Sequence, residues 1–192
     1  QPELRRALEQ LGRGAIFARA ASEEEKDFNH KITEVIKAIN QLAQRKIGAL
    51  IVFERETGLT DYVESGVSIG AQISSELLIN IFTPNTPLHD GAVMIRGNQL
   101  LAAGCYLPLS ENPFISKELG TRHRAAIGMT EVSDAVVVIV SEETGQVSLS
   151  INGQVVRDIK EESLISKLFE ELKPSTRTKK IPFWRRRRRH GG

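Results

Sequence analysis

Three short segments hold the residues whose types and spacing point to chemistry. The first is Leu88-His89-Asp90-Gly91-Ala92, which follows a proline-rich stretch and precedes an apolar run. A carboxylate beside glycine sits where the backbone turns sharply and a ligand can come close. Carboxylate oxygens suit Mg²⁺, and an adjacent imidazole shifts the preference toward Mn²⁺ or Co²⁺. The second segment is Gly120-Thr121-Arg122-His123-Arg124, at the start of a helical pattern, with Thr121 as N-cap candidate. A helix N-terminus offers unpaired N–H groups and partial positive charge, both suited to phosphate. Two arginines there oppose the helix dipole, a cost an anion would offset. The third is Ser141-Glu142-Glu143-Thr144-Gly145. Each segment also has a plainer reading: an ordinary Asp-Gly turn, a solvated basic turn and a hairpin turn. Local chemistry leaves both readings open, and together the segments suggest a polyphosphate site.

The elements that must position these loops follow from periodicity. Residues 22–46 predict a helix, with Ser22 and Glu25 as a capping box. Phe28, Ile32, Val35, Ile36, Ile39 and Leu42 form its buried stripe. Lys46 favours its C-terminal end and Gly48 its termination. His30 reads as a surface residue. Residues 48–53 predict a continuous apolar strand, 71–82 a helix, and Thr83–Pro87 an irregular loop. Strands at 92–95 and 100–103 predict a hairpin through Arg96-Gly-Asn-Gln99. Residues 134–140 predict an interior strand, turning at 141–145 into 146–151, and 161–172 predict a final helix. The alternation argues for one α/β domain, a central mixed β-sheet flanked by helices. No Gly-rich dinucleotide loop and no Gly-Lys-Ser/Thr phosphate loop is present, so if the chain binds a nucleotide it does so by another route.

Composition narrows the class. The 192 residues suit one domain. A single cysteine, Cys105, excludes an internal disulfide framework and a Cys-rich zinc site, and reads as a small core residue. The net charge of +2 hides an asymmetry, since residues 174–192 hold eight of the 26 Lys and Arg and no acid. The remaining body carries 18 basic against 24 acidic residues, a net −6, so no nucleic-acid partner is expected of it. The tail, with Trp184 beside Arg185–Arg189, reads as a disordered solvated segment or as a contact for anionic lipid or nucleic acid. No apolar run is long enough for a membrane span and no signal peptide is visible. The missing initiator Met suggests a fragment or a processed chain. Residues 1–21, with Arg5, Arg6, Arg13 and Arg19 among leucines and Gly12 and Gly14 interrupting, read as a loose leader or a membrane-proximal connector.

His-Asp-Gly-Ala at 89–92 and Gly-Thr-Arg-His-Arg at 120–124 resemble the two signature motifs of the diadenylate cyclase (DisA_N) domain family. The similarity covers about residues 22–160 and is greatest to the family's membrane-anchored CdaA type. It implies a metal-dependent homodimer in which two domains meet face to face, each holding one ATP. The two nucleotides condense into cyclic di-AMP and two pyrophosphates. By position, Asp90 would act on the metal and help activate the ribose 3′-OH, with His89 a further metal ligand. Gly91, with Ala92, would let the nucleotide approach. Thr121, Arg122 and His123 would hold phosphates, and Arg124 would shape the loop. Tyr106 and Leu107 would flank adenine, and Ser141 and Glu143 would touch nucleotide or metal. The resemblance makes 1–21 a membrane-proximal connector, 22–173 the catalytic domain and 174–192 a basic tail. It places the full-length protein on the cytoplasmic face of the cell membrane, with regulatory proteins acting on the dimer. The alternative is a non-catalytic module that senses ATP or cyclic di-AMP.

Overall fold

The apolar run after Gly48 forms β1 (Ala49–Phe53), buried at all five positions. The structure, a computed structural model, describes residues 2–174, with side chains from residue 22 onward. Six further strands join β1: β2 (Val67–Gln72), β3 (Ala92–Arg96), β4 (Gln99–Cys105), β5 (Val136–Val140), β6 (Val147–Ile151) and β7 (Gln154–Val156). They make one mixed sheet of order β2-β4-β3-β1-β5-β6-β7. β1 runs parallel to β3, with Ile51 opposite Val93, and the other neighbours are antiparallel.

Alternation along β1 divides the core. Ala49, Ile51 and Phe53 face one layer, built from α1 (Pro2–Gln44), α3 (Ser75–Phe82) and α5 (Glu161–Leu172). Leu50 and Val52 face the other, where α4 (Thr121–Val132) packs with α2 (Thr60–Glu64). A strand covered on both faces reads as an unbroken apolar run, which is why 48–53 and 134–140 were legible. β5 is fully buried in the same way.

Three expectations are corrected. The helix expected from residue 22 is continuous from Pro2, so Ser22 and Glu25 lie exposed within it and form no capping box. Leu, Arg, Ala and Glu upstream are strong helix formers, and Gly12 and Gly14 each cost only about 1 kcal/mol. Nor does Gly48 end α1. Lys46 does so in a left-handed conformation, φ 53°, with Ile47 N–H donating to Leu42 O at 2.8 Å and Lys46 N–H to Ala43 O at 3.1 Å. This is the paired bonding of a Schellman cap. The helix expected over 71–82 starts at Ser75, because residues 71 and 72 belong to β2. Its N-cap is Ser74, whose Oγ accepts from Leu77 N–H at 3.2 Å.

α2, β2 and β7 were not anticipated. β7 had a usable signal: Asn152-Gly153 joins it to β6 with both residues at positive φ, the preferred two-residue hairpin chemistry. β2, Val-Ser-Ile-Gly-Ala-Gln, mixes small, polar and apolar residues along a mostly exposed edge, so its pattern is weak.

α4 reaches the sheet only because Gly128 faces the loop after β4. A Cβ there would meet Pro108 O at 2.0 Å. Gly128→Ala should lower stability by about 2–3 kcal/mol through overpacking. Gly58→Ala, with open space around it, should be near neutral. Urea denaturation of both variants decides this, and a Gly128→Ala loss under about 1 kcal/mol would show that the loop yields.

Candidate nucleotide site

Pairing registers bring the three chemical loops to one end of the sheet. Ala49 opposes Val140, Ala92 opposes Cys105, and Val140 opposes Val147. The start of β1, the start of β3, the end of β4, the end of β5 and the start of β6 therefore share that end. Asp90 and Gly91 immediately precede β3, Tyr106 follows β4, and Ser141 follows β5.

α4 begins at the same end. Its N-cap is Gly120 in extended conformation with no side-chain cap, so the expected capping by Thr121 is corrected: Thr121 is the first helical residue and is exposed. A glycine cap supplies no acceptor, so the first-turn N–H groups of Thr121, Arg122 and His123 keep no side-chain partner. Arg122 crosses the start of β1, where a Cβ on Gly48 would come 2.7 Å from the guanidinium carbon. Its Nη1 pairs with Glu142 Oε2 at 2.8 Å. His123 Nε2 and Ser148 Oγ share a hydrogen bond at 3.1 Å. Burial, and next the Arg157 cation, push the His123 imidazole below its ordinary value. These groups line a cleft of about 250 Å³ between the first turn of α4 and the β5–β6 turn.

The cleft gathers Thr121, Arg122, His123, Ser141 and Glu143. Ser141 Oγ accepts from Glu143 N–H and Thr144 N–H, both at 3.3 Å, which shapes that turn. Arg124 acts through its backbone, its carbonyl accepting from Ser110 N–H at 3.0 Å. His89, Asp90, Gly91, Ala92, Tyr106 and Leu107 lie at the same sheet end but outside the cleft lining. Asp90 is exposed, and Tyr106 is 76% exposed. His89 Nδ1 donates to Thr86 O at 2.6 Å, which fixes the tautomer and leaves Nε2 as the acceptor nitrogen. Gly91 has φ 109°, and a Cβ would strike the backbone of Gly104 and Cys105. Its glycine is therefore required by the β3–β4 pairing itself. Ala92 is wholly buried in the free chain. Cys105 is buried as expected, and burial raises its thiol to about 11.

Sequence reading missed Gly48, Glu142, Ser148 and Arg157 as parts of this site. Glu142 stood inside a noted segment. Gly48 was assigned to helix termination, and Ser148 and Arg157 stand in no motif. Among the described residues, no group of three His, Cys, Asp or Glu could hold a metal by itself.

Residues 36–155 match the family described as DisA bacterial checkpoint controller nucleotide-binding. The chain belongs to this family. The domain is 57% identical over 184 residues to the cyclic di-AMP synthase CdaA of Bacillus subtilis, covering 96% of the chain and 67% of that protein. It is also 57% identical over 172 residues to the diadenylate cyclase of Listeria monocytogenes, covering 90% of the chain and 63% of that protein. The chain thus spans about two thirds of the length of these relatives. Its fold is that of the crystal structure of DacA from Staphylococcus aureus, a double mutant carrying two introduced cysteines, with TM-score 0.75 and 56% identity over 76% of this chain and 97% of the other. A hypothetical membrane spanning protein from Bacillus cereus matches with TM-score 0.65 and 44% identity, over 67% and 63% of the two chains. Among the described residues of this DAC domain, no helix is long and apolar enough to cross a membrane.

The depressed His123 value has a sign. Below the ordinary histidine value of 6.5 the unfolded chain takes a proton that the folded imidazole refuses, so stability present above pH 6.5 declines as pH falls toward the folded value. Denaturation at about pH 7.5 and about pH 5.5 should show a loss in the wild type that is smaller in His123→Gln. Equal losses would assign the acid sensitivity elsewhere.

Proposed function

We infer that this domain is a diadenylate cyclase, condensing two ATP into cyclic di-AMP and two pyrophosphates. The observation that carries this reading is the uncapped start of α4, with Arg122 laid across Gly48, at the sheet end that also presents Asp90. The high identity to proteins named diadenylate cyclase and cyclic di-AMP synthase supports it.

In the reaction each ribose 3′-oxygen attacks the α-phosphorus of the other ATP. A new P–O bond forms, the bond to the β-phosphate oxygen breaks, and pyrophosphate leaves while the 3′-OH proton is released. The nucleophile of each site belongs to the other site's nucleotide, so two domains must meet face to face. The exposed Tyr106, Leu109 and Phe114, on the segment leaving β4, suit such a face. The first-turn N–H groups and the Arg122 guanidinium hold phosphate oxygens and oppose the charge that builds on them. Glu142, the partner of Arg122 in the free chain, yields that cation to the nucleotide. Tyr106 offers a face for adenine and Leu107 an apolar wall, while Ser141 and Glu143 line the phosphate side.

The reaction is metal-dependent, and the residues fit a hard divalent cation such as Mn²⁺, Mg²⁺ or Co²⁺. Asp90 supplies an exposed carboxylate, and His89 presents Nε2 because Nδ1 is committed to Thr86. Two protein donors suit a cation that keeps waters and takes the rest from phosphates. When bound, the metal neutralises phosphate charge and acidifies the attacking hydroxyl. The full-length protein is placed on the cytoplasmic face of a membrane; the likeness to a Bacillus cereus protein described as membrane spanning supports the attachment. Regulatory proteins would there act on the dimer.

Incubation with ATP and each metal, followed by anion-exchange chromatography and mass spectrometry, tests the activity. Cyclic di-AMP should form, vanish with a chelator and return with metal. ATP bound but unchanged at high protein concentration would instead establish a sensing module. Asp90→Asn should cut product formation by about 10³-fold while ATP binding stays within a few-fold, and an active Asp90→Asn protein would remove the assigned role. Specific activity should rise with protein concentration, as a two-domain reaction requires.

A further inference from the structure

The cleft contains a cation that no signature motif supplies. Arg157 directly follows β7. Val156 opposes Leu149, so antiparallel register brings Arg157 level with Ser148, the residue bonded to His123. Its charge is felt at His123 and its side chain lines the same cleft as Arg122. The two arginines differ in how firmly they are engaged. Arg122 is held at 2.8 Å by Glu142 and its side chain is 23% exposed. Arg157 pairs with Glu118 at 3.8 Å, and those side chains are 49% and 81% exposed. An ion pair that long and that wet restrains little.

We propose that Arg157 binds the terminal phosphates of the nucleotide, the pair that departs as pyrophosphate. The proposal rests on the diadenylate cyclase reading of the site and extends it to the leaving group. The sheet itself acts as a ruler. Adjacent strands lie about 4.8 Å apart, and the site residues follow the strand order β4-β3-β1-β5-β6-β7. Tyr106 and Leu107 stand at β4, Asp90 at β3, Arg122 over the start of β1, Ser141 at β5, Ser148 at β6 and Arg157 at β7. A nucleotide with its base at β4 and its first phosphate near the start of α4 points its remaining phosphates toward β6 and β7. From β1 to β7 is about 14 Å, which the triphosphate and an extended arginine close from opposite sides.

Charge gives the same answer. The cleft is lined by three acids, Glu118, Glu142 and Glu143, against Arg122 and Arg157, while His123 is held toward its neutral form. Without Arg157, one guanidinium would face three carboxylates where a triphosphate must sit. A guanidinium fork matches two phosphate oxygens at once, and a cation at the departing oxygens lowers the barrier to their release.

The test compares wild type, Arg157→Ala and Arg157→Lys by calorimetric titration with ATP, AMP and inorganic pyrophosphate, each in the presence of the metal. Arg157→Ala should weaken ATP and pyrophosphate about tenfold and leave AMP unchanged, since AMP has no terminal phosphates. Arg157→Lys should fall between, because it keeps the charge and loses the fork. Thermal melting of each variant alone controls for folding, and if Arg157→Ala fails to fold the Lys variant and Arg157→Gln carry the comparison. Equal weakening of ATP and AMP, or unchanged ATP affinity, would overturn the proposal. Cyclic di-AMP formation by the wild type is scored separately: its absence would defeat the cyclase reading, whereas a selective loss of ATP and pyrophosphate would still place terminal phosphates at Arg157.

Discussion

Everything at the functional end of this domain depends on β1 being closed on all sides. It is hydrogen-bonded along both edges, to β3 and β5, and covered on both faces. Nothing polar can leave it sideways, so chemistry is confined to its two ends, and the signature loops gather at the N-terminal one. There Gly48, without a side chain, leaves a floor on which Arg122 lies. A Cβ at that position would have to displace the guanidinium that the phosphate reading needs. The same closure fixes β3 and β5 as neighbours, and with them the loops that carry Asp90 and Ser141.

The electrostatics of α4 work against the helix and for a ligand. Arg122, His123 and Arg124 occupy the positive end of the helix with no acid in the first turn. Such placement is unfavourable for the helix alone. Glu142 compensates part of it, from the β5–β6 turn and not from the helix. The arrangement is thus open to replacement of one anion by another: a carboxylate in the free domain, a phosphate in the occupied one. Burial disfavours a further positive charge on His123, which leaves Arg122 and Arg157 as the fixed cations facing the cleft's carboxylates.

What was legible in the sequence followed from burial. β1 and β5 announced themselves because both faces are covered, and the stripe from Phe28 to Leu42 because α1 lies on the sheet with one side. The signature loops were noted for their residue types, but local chemistry left a plain-turn reading open for each, and their assignment came from the resemblance of two whole motifs to the family. What escaped was set by contacts distant in the chain. Gly48 answers to the side chain of Arg122, and Gly128 to the carbonyl of Pro108. The end of α1 is decided by Lys46 in a conformation its residue type does not advertise. Ser148 and Arg157 enter the site only through the register of β5, β6 and β7, which no local pattern encodes.

The strand order also governs how the chain must be made. β1 pairs with β5, and Ala49 meets Val140 only after the whole of the intervening chain has followed it. During synthesis this wholly apolar strand therefore waits, with one edge open, until the second half of the chain emerges. Pairings this remote fold slowly and leave apolar edges exposed meanwhile. α1, already complete by then, can shelter the face of β1 that it later covers, and α3 can join it, whereas α4 and β5 arrive together to close the other side. The cleft is consequently among the last features to exist, and a truncated chain ending before β5 would have neither the cleft nor a protected sheet.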